Sequence, residues 1–456
     1  MALPSEVPSR PPVASAGWGR LPGAVWLFGL ASLLNDASSE AIFPLLGVFM
    51  GAMGAPMRVI GLVLGLADAL AVGIKVVAGL WSDRVRRRPL VIAGYLIAAA
   101  GKAAVALSST PWQVLAGRSL DRAGKGIRSG ARDAMLTDAV ARTERGRAFG
   151  VQQSMDHLGA AIGPLVASGC LAGGLSMRAT FGVAAALGVT PALLLWWRLR
   201  EVPRSLGVAT EGREVGREGV KVPVCSLPVY GDRLLGNPSA NAPSANAPSA
   251  NAPSANAAPT GTEAERGLGA YVAACGIFAL ANSSDAFVLV RAAKLGWSPA
   301  AIPLLWLGHH AVKSVTSAIG GALSDRIPRV RMVLGGWLAY AGAYLGFALA
   351  SRRWHILALL IFYAVYHGLA EAPERALVSD LAGPTRRGRA FGLYHGVVGL
   401  ASLPASVLTG WLWDRSGAGA AFGACASLAV LAAVVLLLLV RSGVLATARN
   451  SPSVAP

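Results

Sequence analysis

Charge is what this chain has least of. Only 14% of its 456 residues are Asp, Glu, Lys or Arg, against about 25% in an average soluble domain. Acids are scarcer still, 23 against 41 Lys and Arg, which leaves a formal net charge of +18. With 54% hydrophobic residues, this balance excludes a disordered basic nucleic-acid binder and argues against a soluble enzyme. Cysteine is sparse: Cys170, Cys225, Cys275 and Cys425 stand far apart with no CxxC pair, so neither a zinc site nor a disulfide framework is expected. No His-Glu-x-x-His occurs, which removes the usual signature of a membrane-embedded metalloenzyme. Residues 1–21 are rich in Pro and Ser and lack a short apolar core with a small-residue cleavage site, so no signal peptide is expected.

Long apolar runs are what the chain does have. Segments of spanning length cover 22–50, 57–82, 90–110, 112–140, 148–173 and 176–197, then 267–292, 299–323, 332–350, 354–381, 390–413 and 418–440. The predicted fold class is an all-α integral membrane protein of twelve transmembrane helices. Five domains follow: a tail at 1–21, a six-helix bundle at 22–198, a linker at 199–266, a second six-helix bundle at 267–440 and a tail at 441–456. The linker is polar and carries the repeat PSANA from Pro238, Pro243, Pro248 and Pro253, a composition that cannot bury a core and reads as a disordered spacer. Most Lys and Arg lie at the termini, in the linker and in the loops at 83–89, 141–147, 324–331 and 382–389. That side is predicted to be cytoplasmic, with both termini on it. The positive balance is thus mainly topogenic. No basic patch interleaved with aromatics suggests a nucleic-acid partner.

The two bundles repeat one another. Gly79-Leu-Trp-Ser-Asp83-Arg84 closes the second segment and Gly321-Ala-Leu-Ser-Asp325-Arg326 the eighth, 242 positions apart. Asp138 before Arg145-Gly-Arg-Ala-Phe-Gly recurs at the same offset as Asp380 before Arg387-Gly-Arg-Ala-Phe-Gly. Ser38-Ser39-Glu40-Ala41 matches Ser283-Ser284-Asp285-Ala286 at an offset of 245. Three ordered matches at nearly one offset of six segments imply parallel repeats about an axis along the membrane normal.

These residues resemble the major facilitator superfamily of secondary transporters over nearly the whole chain, tail and linker excluded. Gly79-x-x-x-Asp83-Arg84-x-x-Arg87-Arg88 is similar to the family's loop signature, departing at Arg86 where Gly is usual, and Gly321-x-x-x-Asp325-Arg326-x-x-Arg329 echoes it. Asp121-Arg122-Ala-Gly124-Lys125-Gly126-Ile-Arg128 resembles the signature of a bacterial permease subgroup, with Ala131 where that subgroup usually has Pro. The resemblance implies a multi-pass protein of the bacterial inner membrane, two bundles rocking about a central cavity, and a cytoplasmic latch in which Asp83 or Asp325 caps a helix and pairs with Arg. Alternatively, Arg84, Arg86, Arg87 and Arg88 serve only to set topology. Gly124-Lys125-Gly126 is no phosphate-binding loop, since neither Ser nor Thr follows and no βαβ unit surrounds it.

Charges inside spanning segments are the functional candidates, because each costs about 2.5–3.5 kcal/mol on insertion scales unless it faces the bundle interior. Asp36 and Glu40 share one helical face of the first segment, and Asp285 is the repeat-related counterpart of Glu40. Arg118, Arg122, Lys125 and Arg132 make the fourth segment cationic, and Arg132 matches Glu374 by the repeat, so ion pairing across the bundle is one reading. His309 and His310 with Lys313, Glu371 with Glu374, and Asp156 with His157 complete the set. Each group is also explicable as a satisfied interior pair. The expected function is secondary transport of a small solute by alternating access, coupled to protons through Asp36, Glu40 and Asp285, with export favoured on the acidic first segment. Uniport or exchange of an anion held by Arg118, Lys125 and Arg132 is the alternative. An intramembrane enzyme or a non-transporting receptor is the reading of another class. No cofactor or metal is expected, and the partners are the solute, protons and the lipid bilayer around a monomer.

Overall fold

The computed structural model describes residues 21–82, 86–140, 144–199, 261–324, 327–382 and 387–445. They form α1 (Gly23–Ala52), α2 (Met57–Ser82), α3 (Arg87–Leu107), α4 (Pro111–Asp138), α5 (Arg145–Ala172), α6 (Met177–Arg198), α7 (Gly261–Ala281), α8 (Ala286–Lys294), α9 (Ile302–Ser324), α10 (Arg329–Leu349), α11 (Arg353–Ala382) and α12 (Arg387–Arg441). No strand occurs among the described residues. The PSANA repeats lie outside them.

Local chemistry explains where the helices start and break. Thr110 and Gln113 form a reciprocal capping box at the head of α4 with Pro111 in the first turn, and Ser176 caps α6 through Ala179 N–H at 3.2 Å. One expectation needs correction. The segment at 267–292 is not one helix: it begins at Gly261 and stops at Ala281, and α8 restarts at Ala286. The four residues between, Asn282-Ser283-Ser284-Asp285, compete with the helix ladder through their side chains, as Ser284 Oγ does by accepting Ala286 N–H at 3.4 Å. The segments expected at 390–413 and 418–440 are two helices within the range given as α12, separated by a break at Gly417, whose φ of 83° is open to glycine.

Helix pairing repeats between the halves. In the first half α1 packs on α5 and α6, α3 on α4 and α6, and α2 on α4. In the second, α7 packs on α12, α10 on α11 and α12, and α9 on α11. The closest approaches use small residues, as expected where lipid removes the hydrophobic drive between helices. At Gly124 a Cβ would lie 2.4 Å from the Gly94 carbonyl oxygen, so α3 and α4 touch backbone to backbone. At Gly61 it would lie 2.1 Å from the Ser406 carbonyl oxygen, which brings α2 of one half against α12 of the other.

Seven helices among the described residues are long and apolar enough to cross a membrane by length and composition alone. The expected count of twelve exceeds this for a physical reason. The two expected segments within α12 count as one, and helices α1, α4, α5 and α9 fall outside the seven; these four carry Asp36 and Glu40, the Arg118–Arg132 series, Asp156, and the His309–Lys313 group. Their polar residues lower the mean hydropathy that defines a span.

Candidate functional site

The charged residues of the first half gather where α1 and α4 face each other, and most are answered within that half. Asp121 is buried and accepts Arg118 Nη1 at 3.1 Å, with Lys102 Nζ at 3.8 Å. Arg118 is buried too, its guanidinium 5.6 Å from the Phe43 ring centre. Arg122 bridges to Asp68 of α2 at 3.1 Å. Lys102 of α3 donates to Asn35 Oδ1 at 3.1 Å, and Asn35 Nδ2 donates to Asp36 Oδ1 at 2.9 Å. Arg132 donates to Ser32 Oγ at 2.8 Å and pairs with Asp133 at 2.9 Å. Lys125 is exposed although it lies midway along α4; Asp36 and Glu40 are acids that act on it electrostatically, and no hydrogen bond or ion pair among the described residues engages its ammonium.

Glu40 leaves its own half. Trp306 Nε1–H of α9 donates to Glu40 Oε2 at 2.8 Å, and the Trp306 ring packs on Phe43 at 5.3 Å. Trp306 also stacks on His309 at 5.2 Å and meets His310 edge-on at 4.6 Å. His309 is buried, with Nδ1 3.0 Å from the Leu360 carbonyl oxygen. Asp285, in the break between α7 and α8, accepts the Tyr363 hydroxyl at 2.8 Å. The repeat-related pair Glu40 and Asp285 thus answers to different partners.

Farther along α11, Lys313 and His367 both reach Glu371 Oε1 at 2.8 Å. Glu374 is buried and accepts Trp337 Nε1–H at 2.7 Å and the Tyr394 hydroxyl at 2.8 Å. The expected ion pairing of Arg132 with Glu374 does not form: Arg132 is bound to Ser32 and Asp133, and Glu374 is bound by neutral donors of its own half. A cavity of about 230 Å³ opens between α7, α11 and α12, with Phe278, Asn282, Tyr366, Glu374, Arg375 and Tyr394 among its walls.

Of the signature-loop residues, Asp83, Arg84, Asp325 and Arg326 lie outside the described residues, and the expected latch with them. Gly79 and Gly321 fall within α2 and α9. Arg87 pairs with Asp138 at 2.6 Å and Arg329 pairs with Asp380, two bridges related by the repeat offset of 242 positions. Arg88 donates to the Trp196 carbonyl oxygen at 2.7 Å.

Several residues that matter here were not singled out in the sequence. Trp306 carried no polar signal. Arg128 stood in the quoted signature; it is buried over the Tyr95 ring at 4.5 Å rather than at a carboxylate. Asp414, at the turn within α12, accepts Met57 N–H at 2.8 Å and Arg58 N–H at 2.9 Å, capping α2 across the two halves. A detectable signal existed for it: Ala55 and Pro56 ahead of α2 offer no side-chain acceptor, so the cap had to come from elsewhere. Gly47 against Val290, Gly61 against Ser406, and Met57 with Asp414 all join the halves at the end away from the chain termini.

Comparison with known proteins matches this architecture. The model of the Major Facilitator Superfamily aligns with residues 28–237 and 267–453. An MFS-type transporter of Methanocaldococcus jannaschii is 29% identical over 406 residues, 86% of this chain and 89% of that protein. The multidrug resistance protein MdtH of Edwardsiella ictaluri is 34% identical over 132 residues, 29% of this chain and 33% of its own length. A bacterial homologue of the human lysosomal transporter Spinster, solved inward-facing and occupied, superposes with a TM-score of 0.68 at 16% identity, over 92% of this chain and 96% of that one, a likeness of fold.

Proposed function

The chain belongs to the Major Facilitator Superfamily, and from that premise we propose that it moves a small solute across the bacterial inner membrane by proton-coupled alternating access, with export as its direction. The family and fold are those of multi-pass membrane transporters and not of enzymes. What remains is the coupling, and one observation carries it: the Trp306–Glu40 hydrogen bond joins the two halves. Rocking one half against the other must break or remake this bond. A carboxylate that loses its donor in one state holds a proton with different affinity in the two states, and such differential binding is what couples protons to a conformational equilibrium. Asp36, one helical turn before Glu40, and Lys125 form the rest of this acid–base group.

Orientation follows from charge. With the Arg-rich loops and both termini in the cytoplasm, the named contacts between the halves close the outer side, and the cavity faces inward. Asp285, His309, Glu371 and Glu374 line the opposite half and belong to the solute path in this reading.

Flux in proteoliposomes tests the coupling. An imposed pH gradient is expected to drive solute movement with a matching change in internal pH, and Glu40→Gln to abolish that dependence while leaving exchange of solute across the membrane. Flux indifferent to the gradient in the unmodified protein sinks the coupling. The anion-exchange reading is supported by the unpartnered Lys125 ammonium; it requires Lys125→Gln to weaken anion flux, with Arg118 and Arg132 unchanged.

A further inference from the structure

The cavity of the second half is bordered by two ionisable residues, Glu374 and Arg375, that no ion pair among the described residues engages. Glu374 is 7% exposed, and its two carboxylate oxygens accept only the neutral donors Trp337 and Tyr394. An ionised carboxylate offers about four acceptor sites, so capacity remains on both oxygens. Arg375 follows it on α11, lines the same cavity, and makes no hydrogen bond or ion pair among the described residues. By contrast Glu371, on the same wall, is met by Lys313 and His367. Successive helical residues diverge by about 100°, so Glu374 and Arg375 flank the cavity without closing on each other.

Phe278, Tyr366 and Tyr394 supply aromatic rings to the remaining walls. Phe278 lies parallel to Trp337 with ring centres 4.7 Å apart, and Tyr366 stands 5.6 Å from Phe278. Asn282 lines the cavity just past the end of α7, where the helix dipole is negative and favours a cation. The volume of about 230 Å³ exceeds the roughly 150 Å³ that admits a benzene ring. Ionisable residues within spanning helices are rare and mark ligand paths where they face a cavity. Here one of each sign borders a space sized for a single ring.

We propose that this pocket binds a small zwitterion, a solute bearing an ammonium and a carboxylate on a body of about one aromatic ring. Glu374 and Asn282 take the ammonium, Arg375 takes the carboxylate, and Phe278 and Tyr366 enclose the body. The proposal rests on the reading of the chain as a transporter of small solutes and names the class of solute. It does not depend on proton coupling.

Calorimetric titration of the purified full chain in detergent tests it with three probes of one body: L-phenylalanine, its methyl ester (cation only) and its N-acetyl derivative (anion only). The zwitterion is expected to bind at least tenfold tighter than either derivative. Arg375→Gln is expected to reduce the zwitterion's affinity to that of the ester and to leave the ester unchanged. Glu374→Gln is expected to weaken zwitterion and ester while sparing the N-acetyl probe. Because Glu374 is buried and its variant is open to misfolding, the exposed Arg375→Gln carries the decision alone if Glu374→Gln is not recovered folded. The proposal is overturned if a singly charged probe binds as tightly as the zwitterion, if none of the three binds the folded protein, or if Arg375→Gln leaves the zwitterion's affinity unchanged. The two readings fail separately: solute flux driven by a pH gradient without phenylalanine binding removes the pocket assignment only, and phenylalanine binding with gradient-indifferent flux removes the coupling only.

Discussion

Asp414 caps α2 of the other half, and its removal has a calculable effect on the balance between the two faces in the proposed cycle. The first backbone N–H groups of a helix have no partner within it, and in α2 those of Met57 and Arg58 are satisfied by Asp414 of the other half at 2.8 and 2.9 Å. In the proposed orientation, with the termini cytoplasmic, opening the outer side pulls α12 from α2 and leaves these donors to water. Replacing a capping side chain with Ala costs about 0.5–2 kcal/mol, typically ~1. Asp414 is exposed, which keeps the value near the middle of that range rather than at its top. About 1 kcal/mol is roughly a fivefold change in a two-state ratio. Asp414→Ala is therefore expected to raise the outward-open population about fivefold, and Asp414→Asn, which still caps, by much less. Spin labels at Ala52 and Arg415, on either side of the outer mouth and both exposed, report the change as growth of the longer interlabel distance. An unchanged distance distribution in Asp414→Ala would refute the argument that this cap holds the halves together, and equal shifts in the Ala and Asn variants would refute its attribution to capping.

Two further substitutions probe the scaffold. Removing Arg118 leaves Asp121 buried with only Lys102 at 3.8 Å, and breaking a buried pair from one side typically costs about 3–5 kcal/mol; Arg118→Ala should lower the melting temperature sharply, and Arg118→Leu with Asp121→Leu should recover much of the loss. Gly124→Ala drives a Cβ to within 2.4 Å of the Gly94 carbonyl, a backbone contact that no rotamer change relieves, and should cut the yield of folded protein, whereas Gly150→Ala, with nothing within 4 Å, should be neutral or slightly stabilising as the loss of a helical Gly predicts.

Much of the scaffold was legible because it rests on patterns with a period. Apolar run length located the segments, and the 242-position offset that aligns Asp83 with Asp325 also relates the Arg87–Asp138 and Arg329–Asp380 bridges. What escaped was non-periodic. The break at Asn282–Asp285 depends on four polar side chains in a row outcompeting a helix that the surrounding apolar residues favour. The Asp414 cap joins positions 357 residues apart, and no local signal names its partner. Trp306 reads as one more apolar residue until a carboxylate of the other half is placed at its N–H.

The repeat also explains why candidate residues could be found but not paired. Structural bridges recur in both halves because each half must close the same helix pair, α3 on α4 and α10 on α11. Residues outside those bridges have no such obligation. Glu40 takes Trp306 while its counterpart Asp285 takes Tyr363, and Arg132 takes Asp133 while its counterpart Glu374 takes Trp337 and Tyr394. A transporter with two equivalent walls would bind its solute in two equivalent poses. Divergence at these positions leaves charged side chains on α1 and α4 of the first half and an aromatic-walled cavity between α7, α11 and α12 of the second, and in the proposed cycle this asymmetry, superimposed on a symmetric scaffold, lets one solute be held in one orientation while the halves exchange sides.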